Sequence, residues 1–354
     1  MKTSMPCWAK PPSASKRLWR ADLLPNLPYS GPAARIHSRR RAPLSSGNDM
    51  TAIATDPPRA SNSPLERSYA RLGVLLIAPT ILVFSIVIVY PLLAAIYLSV
   101  FSIYTPTLEG EFVGADNYVK LLTGKAFWNS LGVTLVWTVG TLSLQIVAGV
   151  GLALLLHQNI WFRALARSLV LFPYFLSTVV AVLVWKWLFN DLYGALNHGL
   201  MQLGIIDMPL DWLGSMPNAM IGVILVGAWK YFPFVVIAVL ARLQTIPENL
   251  YEAARIDGAG PIARFWDVTL PQLRSVLTVI ILLRAIWDFK EFDLLYLLTG
   301  GGPVTSTQTL SLLVYQEAFG LNRMGQAAAY SVGMMLVMLV FMILYIRQTK
   351  EKRA

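Results

Sequence analysis

Cysteine is all but absent: Cys7 stands alone in 354 residues. That count excludes a disulfide within the chain and a thiolate cluster. Histidine is nearly as scarce. His37, His157 and His198 lie far apart without ligand-like spacing, so no metal site is expected. No GxxxxGK[ST] loop occurs, which removes ATP binding by that route. No histidine stands in the context a nucleophile–base pair needs, so no catalytic residue is assigned and the chain is read as non-enzymatic. Charge is also thin. Only 14% of residues are charged, against roughly a quarter in soluble domains, while 56% are hydrophobic and mean hydropathy is +0.56. This is the composition of a membrane protein, with the lipid bilayer as a partner.

The formal net charge of +10 would suit a nucleic-acid binder if it were spread over a folded face. It is not: residues 1–72 hold twelve Lys/Arg against four acids. Pro- and Ser-rich and lacking apolar periodicity, residues 1–68 read as a disordered basic segment, and no nucleic-acid partner is expected. Their Arg/Ser-rich, acid-poor character resembles an organelle transit peptide. The plainer expectation is that Met50 is the native start and 1–49 lie upstream of it.

A span needs about 20 apolar residues. Six runs qualify: Leu72–Phe101, Leu131–Leu156, Ser168–Phe189, Ala219–Leu240, Ser275–Leu298 and Ala327–Ile346. The expectation is an all-α membrane protein, with a six-helix domain over 69–347 and a short tail at 348–354. Lys and Arg set the orientation. With the N-terminus inside, inner connections carry ten of them and outer ones three, placing both termini, and the polar loop 242–274, in the cytoplasm.

That loop contains "YEAARIDGAGPIARFWDVTLP", Tyr251–Pro271. A short helix from about Glu248 should end at Asp257-Gly258, because glycine tolerates the left-handed conformation that closes a helix. Pro261 suits the first turn of a second short helix, expected to stop at Leu270-Pro271. Too polar to span and too apolar to hang free, the elbow should dock, either on the inner leaflet or on a cytoplasmic partner.

The stretch resembles the EAA motif of permease subunits in binding-protein-dependent ABC importers. The matches are Glu252, Ala253, Ala254, Gly258, Leu270 and Pro271, with Asp257 before the glycine and Val268 where Ile is usual. "FVGADNYVKLL", "WKWLFNDLYGALN" and "LLTGGGPVTSTQTLSLLVYQEAF" resemble the sugar-importing, maltose- and glycerol-phosphate-type branch, first permease of the pair. The resemblance covers about residues 70–346 and implies a type I ABC importer permease fold in a bacterial inner membrane. It also implies partners: a second homologous permease, an ATPase homodimer seated on the elbow, a periplasmic solute-binding protein and a sugar substrate. No cofactor is expected in this chain, since ATP and Mg belong to the ATPase.

Charges within a span are expensive, about 2.5–3.5 kcal/mol each on insertion scales, and face a cavity or a partner. Lys230 lies mid-span; Arg284, Asp288 and Glu291 recur at i, i+4 and i+7, on one helical face. The expectation is a polar cavity lined by Lys230, Arg284 and Asp288 beside Trp229, Tyr231 and Trp287. The competing reading has Arg284 and Asp288 neutralise each other. Two intramembrane cations also leave room for an anionic sugar. On the cavity reading, Asp288→Ala changes uptake and leaves assembly intact. Gly300-Gly301-Gly302-Pro303 should form a rigid outer turn, either a helix stop or a contact for the binding protein. A secondary transporter, needing no ATPase, is the alternative function, and a membrane enzyme using Asp288 or Glu291 a more distant one.

Overall fold

In hydrocarbon a backbone N–H or C=O has no water to turn to, so each apolar run closes its hydrogen bonds within itself as a helix. The computed structural model describes residues 64–351 apart from 108, 159 and 160. The expected disordered segment falls outside these residues, except that the first helix already begins at Pro64.

The elements run α1 (Pro64–Phe84), α2 (Tyr90–Leu98), β1 (Phe101–Tyr104), β2 (Glu109–Phe112), α3 (Asp116–Thr123), α4 (Lys125–His157), α5 (Arg163–Phe175) and α6 (Thr178–Leu188). They continue with α7 (Ala195–Gln202), α8 (Asn218–Leu243), α9 (Glu248–Ile256), α10 (Pro261–Arg264), α11 (Leu270–Phe289), α12 (Asp293–Thr299), α13 (Leu310–Tyr315) and α14 (Met324–Glu351). Five helical stretches, 72–98, 125–157, 218–243, 261–289 and 324–348, are each long and apolar enough to cross a bilayer. The pair α5 and α6 makes the sixth if counted as one span bent by 99°.

Four features depart from the sequence expectation. The third run is broken at Leu176-Ser177, both extended, just after Pro173, whose missing N–H weakens the turn before the break. The fifth ends at Phe289 rather than Leu298, and α12 starts afresh at Asp293. The second elbow helix does not stop at Leu270-Pro271. A single π-helical turn, Phe265–Thr269, carries it into α11. Leu270 N–H bonds to Phe265 O, and this wider turn gives room to the proline ring that would otherwise crowd the carbonyl four residues back. The same device recurs at Ser85–Val89, again two residues before a proline, Pro91. Finally, the loop after the first span contains an antiparallel hairpin, β1 with β2, Phe101 opposite Phe112. Asn117 Nδ2 donates to Ser99 O and Phe101 O, both at 2.9 Å, and Tyr104 bridges to Arg323, fixing the hairpin to the start of α14.

The centre of the bundle is α4 packed on α8. Lipid provides no hydrophobic drive between helices, so close backbone approach through small residues supplies the contact. A Cβ on Gly149 would stand 2.5 Å from Val235 Cβ. Trp137, fully buried, fills the space left by Gly227. Val235, Val236, Val239 and Leu243 of α8 pack with Ala153 and Leu156 of α4 and with Leu273 and Ile280 of α11. By contrast no residue of α2 is buried.

Gly149→Ala should therefore destabilise the chain by about 1–3 kcal/mol, the usual range for overpacking. Gly151→Ala, two positions on and with nothing within 4 Å of the added Cβ, should be neutral or slightly stabilising. Thermal unfolding followed by size-exclusion fluorescence compares them; equal melting points would refute the close α4–α8 contact.

Candidate functional site

The two charges of the fifth span are enclosed, and only Arg284 borders a pocket. Arg284 is 2% exposed; Asp288 and Gln145 are 0%. Arg284 Nε donates to Gln145 Oε1 at 2.8 Å, Gln145 Nε2 donates to Asp288 Oδ2 at 3.1 Å, and Arg284 Nη2 is ion-paired with Asp288 Oδ1. The three side chains form a closed ring, Gln145 supplying one donor and one acceptor. Trp137 Nε1 donates to Asp288 O at 2.8 Å, a carbonyl in the last turn of α11 that also accepts from Glu291 N at 3.2 Å. The guanidinium lies 4.4 Å from the Tyr231 ring centre and 5.6 Å from that of Trp287, two cation–π contacts.

Lys230 is likewise engaged. It is 4% exposed, and its Nζ donates to Leu176 O at 2.7 Å. That carbonyl sits at the break between α5 and α6, where no helical N–H reaches it. Trp229 packs edge-on against Trp185, centroids 5.4 Å apart.

What remains open is a pocket of about 440 Å³ lined by Tyr174, Tyr231, Arg284, Trp287, Lys290, Glu291, Phe292 and Asp293. Of the six residues expected to line a cavity, Tyr231, Arg284 and Trp287 are in its wall. Lys230, Trp229 and Asp288 are behind it, drawn away by carbonyl, ring and guanidinium partners. Glu291 departs from the shared helical face because α11 has ended. Its Oε2 accepts from Tyr231 Oη at 3.1 Å and its Oε1 from Leu294 N at 3.2 Å, so it caps α12. Gln145, Tyr174, Phe292 and Asp293 were not singled out from sequence. For Gln145 a signal existed: Thr134, Thr138, Thr141 and Gln145 form a buried polar stripe along α4.

The elbow is a second candidate site. Helix α9 buries no residue. It closes on Gly258 at φ 81°, with Ala259 N bonded to Ala254 O at 2.9 Å and Gly258 N to Arg255 O at 3.1 Å, the paired bonds of a left-handed C-cap. Tyr251 Oη and Thr269 Oγ1, 3.1 Å apart, tie it to the foot of α11. Arg242 reaches Gln272 O and Oε1 at 3.0 and 2.9 Å. Glu252, Ala253 and Asp257 are exposed, Ala254 partly covered, and Ile256, Ile262 and Trp266 are 86%, 76% and 60% exposed. Leu270 and Pro271 begin α11 itself.

Removing one member of a buried ion pair strands the other, at about 3–5 kcal/mol. Asp288→Ala should thus impair folding and assembly rather than uptake alone, the reverse of the cavity-based expectation. Arg284→Met with Asp288→Leu should recover most of the loss, and Gln145→Leu should cost about 1–3 kcal/mol. Thermal melting and monodispersity after detergent extraction test this; a fully stable Asp288→Ala protein would show that the ring is not structural.

Residues 145–351 match the family model described as "Binding-protein-dependent transport system inner membrane component". The chain is 35% identical over 291 residues to the trehalose/maltose transport system permease protein MalF of Thermococcus litoralis, covering 82% of this chain and 98% of that one. It is 36% identical over 282 residues to the sulfoquinovosyl glycerol transport system permease protein SmoG of Agrobacterium fabrum, covering 79% and 91%. Its fold matches a chain of a bacterial ABC transporter that imports the acidic polysaccharide alginate, with TM-score 0.69, 23% identity, and 81% and 97% of the two chains covered. The exposed elbow, the multi-span bundle and these matches give one conclusion: the chain belongs to the family of binding-protein-dependent transport system inner membrane components.

Proposed function

We propose that this chain is the permease half of an ATP-driven sugar importer in a bacterial inner membrane, and that its elbow is where the motor takes hold. The observation that carries the reading is the elbow's geometry. A helix with no buried residue is nonetheless held, by the cap at Gly258 at its end and by Tyr251–Thr269 along its length. Its outer face offers Glu252, Ala253 and Asp257 beside the exposed apolar side chains Ile256 and Ile262. A rigid, half-apolar protrusion suits a protein groove better than free water. An ATPase dimer seated there, binding ATP and Mg itself, needs no cofactor in this chain. The loop charges favour a cytoplasmic elbow and cytoplasmic termini.

Sugar cargo is supported by the relatives, whose names specify trehalose/maltose and sulfoquinovosyl glycerol, and by the aromatic and carboxylate pocket. A solved relative is complexed with an alginate-bound periplasmic protein, which supports a solute-binding protein as partner here. The turn after α12 is a candidate contact for it, with Gly300 and Gly301 at φ 62° and 94° and Thr307 Oγ1 donating to Gly302 O at 2.8 Å. A second permease would supply the other wall of the pathway. A secondary transporter accounts for less: the span charges that could couple an ion are tied to each other or to backbone, and the elbow has no task.

The test is Glu252→Lys in the tagged full chain. The variant should insert at the wild-type level, while ATP-hydrolysing activity copurifying from native membranes falls about tenfold or more. Unchanged copurification would remove the elbow as docking site.

A further inference from the structure

We infer that the cavity between the elbow and the ends of two spans holds the phosphate headgroup of an anionic phospholipid. The inference goes beyond the transport reading and needs from it only that the elbow lies at a membrane face.

The cavity measures about 550 Å³, within the range of small-ligand sites. Its wall includes His157 and Leu243, the last residues of α4 and α8, so it opens at the level where two apolar spans stop. Just beyond α4, Trp161 and Phe162 are 92% and 62% exposed, aromatic side chains of the kind that settle at headgroup depth. On α9 the lining residues Glu248, Tyr251 and Arg255 recur at i, i+3 and i+7, one helical face. Glu252, Ala253 and Asp257 are not in the wall, so a ligand here and a motor on the elbow use different faces of α9.

The charged groups of the wall are Glu248, Arg255 and Arg264, with the His157 imidazole beside them. Arg255 Nη2 pairs with Glu248 Oε1 at 2.9 Å, which leaves Arg264 uncompensated. No ion pair among the described residues joins Arg264 to Glu252, Asp257 or Asp267, the other acids of the elbow. The surroundings do not reverse the sign: segments 157–167 and 242–274 together carry six arginines against four carboxylates. Donors stand open as well. Arg264 Nε and His157 Nδ1 are buried with no hydrogen-bond partner among the described residues, whereas buried polar groups are nearly always paired. An acceptor brought into the cavity supplies what the protein leaves out. Negative charge, several acceptor oxygens and an apolar flank for Leu154, Leu243 and Phe265 together describe a lipid phosphodiester. A guanidinium forks onto two phosphate oxygens, and basic pockets between span ends hold such headgroups. A zwitterionic lipid also brings an ammonium, which meets Arg264 as like charge while Glu248 is already taken by Arg255.

Native mass spectrometry of the purified full chain, released from micelles with equimolar phosphatidylglycerol and phosphatidylcholine, tests the inference. The wild type should retain phosphatidylglycerol in about fivefold excess or more, the scale of one uncompensated cation at a membrane surface. Arg264→Gln should bring the ratio close to one, and Arg264→Lys, which keeps the charge without the fork, should keep part of the excess. Arg274→Gln, at an exposed arginine outside the wall, should leave the ratio unchanged. Should Arg264→Gln extract only as aggregate, His157→Ala supplies the same comparison. Equal retention of the two lipids by the wild type overturns the inference, and so does an undiminished ratio in Arg264→Gln. Soluble glycerol phosphate in millimolar excess should not displace the lipid; if it does, the cavity is a site for free phosphate and the lipid assignment falls. The Glu252→Lys copurification judges the transport reading independently of every one of these outcomes.

Discussion

An arginine side chain keeps its proton in a protein interior, so a buried Arg284 dictates its surroundings. The counter-charge comes from one turn along α11, but Asp288 alone leaves a guanidinium nitrogen and a carboxylate oxygen without partners, which an apolar setting penalises heavily. Gln145 carries an amide, which can give to the acid through its nitrogen and take from the base through its oxygen at once. Reaching both requires α4 to lie against α11 at one height. Trp137, two turns away on α4, then meets the last turn of α11 through the Asp288 carbonyl. Tyr231 brings in α8, its ring against the guanidinium and its hydroxyl on Glu291, and Glu291 in turn caps α12. One unavoidable charge thus sets the register of four helices. Small residues then let the backbones close around it: Gly149 against Val235, Gly227 against Trp137.

Much of this was legible in the chain. The apolar runs marked the spans, because bilayer thickness and backbone hydrogen bonding leave helices little freedom in length. The i, i+4 spacing of Arg284 and Asp288 allowed a pair, though it stood there as the competing reading to a cavity, and Gly258 announced the end of α9. The misreadings share a cause: each followed a period through a point where a single group breaks it. Glu291 sat on the Arg284 face only as long as the helix continued; its carboxylate instead takes the Leu294 N–H, a local bond that competes with helical continuation. Pro271 was read as a stop, but a helix can admit a proline by widening one turn ahead of it. Lys230 was read toward a cavity because its partner, the Leu176 carbonyl, belongs to a break 54 residues away that composition does not announce. Backbone partners of this kind are invisible to residue patterns. The stripe Thr134, Thr138, Thr141, Gln145 is different: its 4-3-4 spacing in an uncharged run was readable as a buried polar seam.

The two candidate sites lie at opposite ends of one helical rod. From Pro261 to Phe289 the chain is helical for 29 residues, about 43 Å at 1.5 Å per residue. The elbow lies at its first turns, and the pocket residues Arg284 and Trp287 at its last. The one irregularity is the π turn at Phe265–Thr269, beside the elbow rather than mid-membrane. On the proposed docking, a push on α9 passes through Tyr251 to Thr269, beyond most of that softer turn, and enters the regular part of the helix. Farther along, Arg284 is locked to Gln145 of α4, so the rod cannot slide past its neighbour without opening a ring that strands two charges. The arrangement favours tilting of α4 and α11 together over sliding of one along the other. Tilting changes the shape of the pocket, which Trp287 of α11 and Tyr174 of α5 both line, while the Arg284–Gln145–Asp288 ring stays closed.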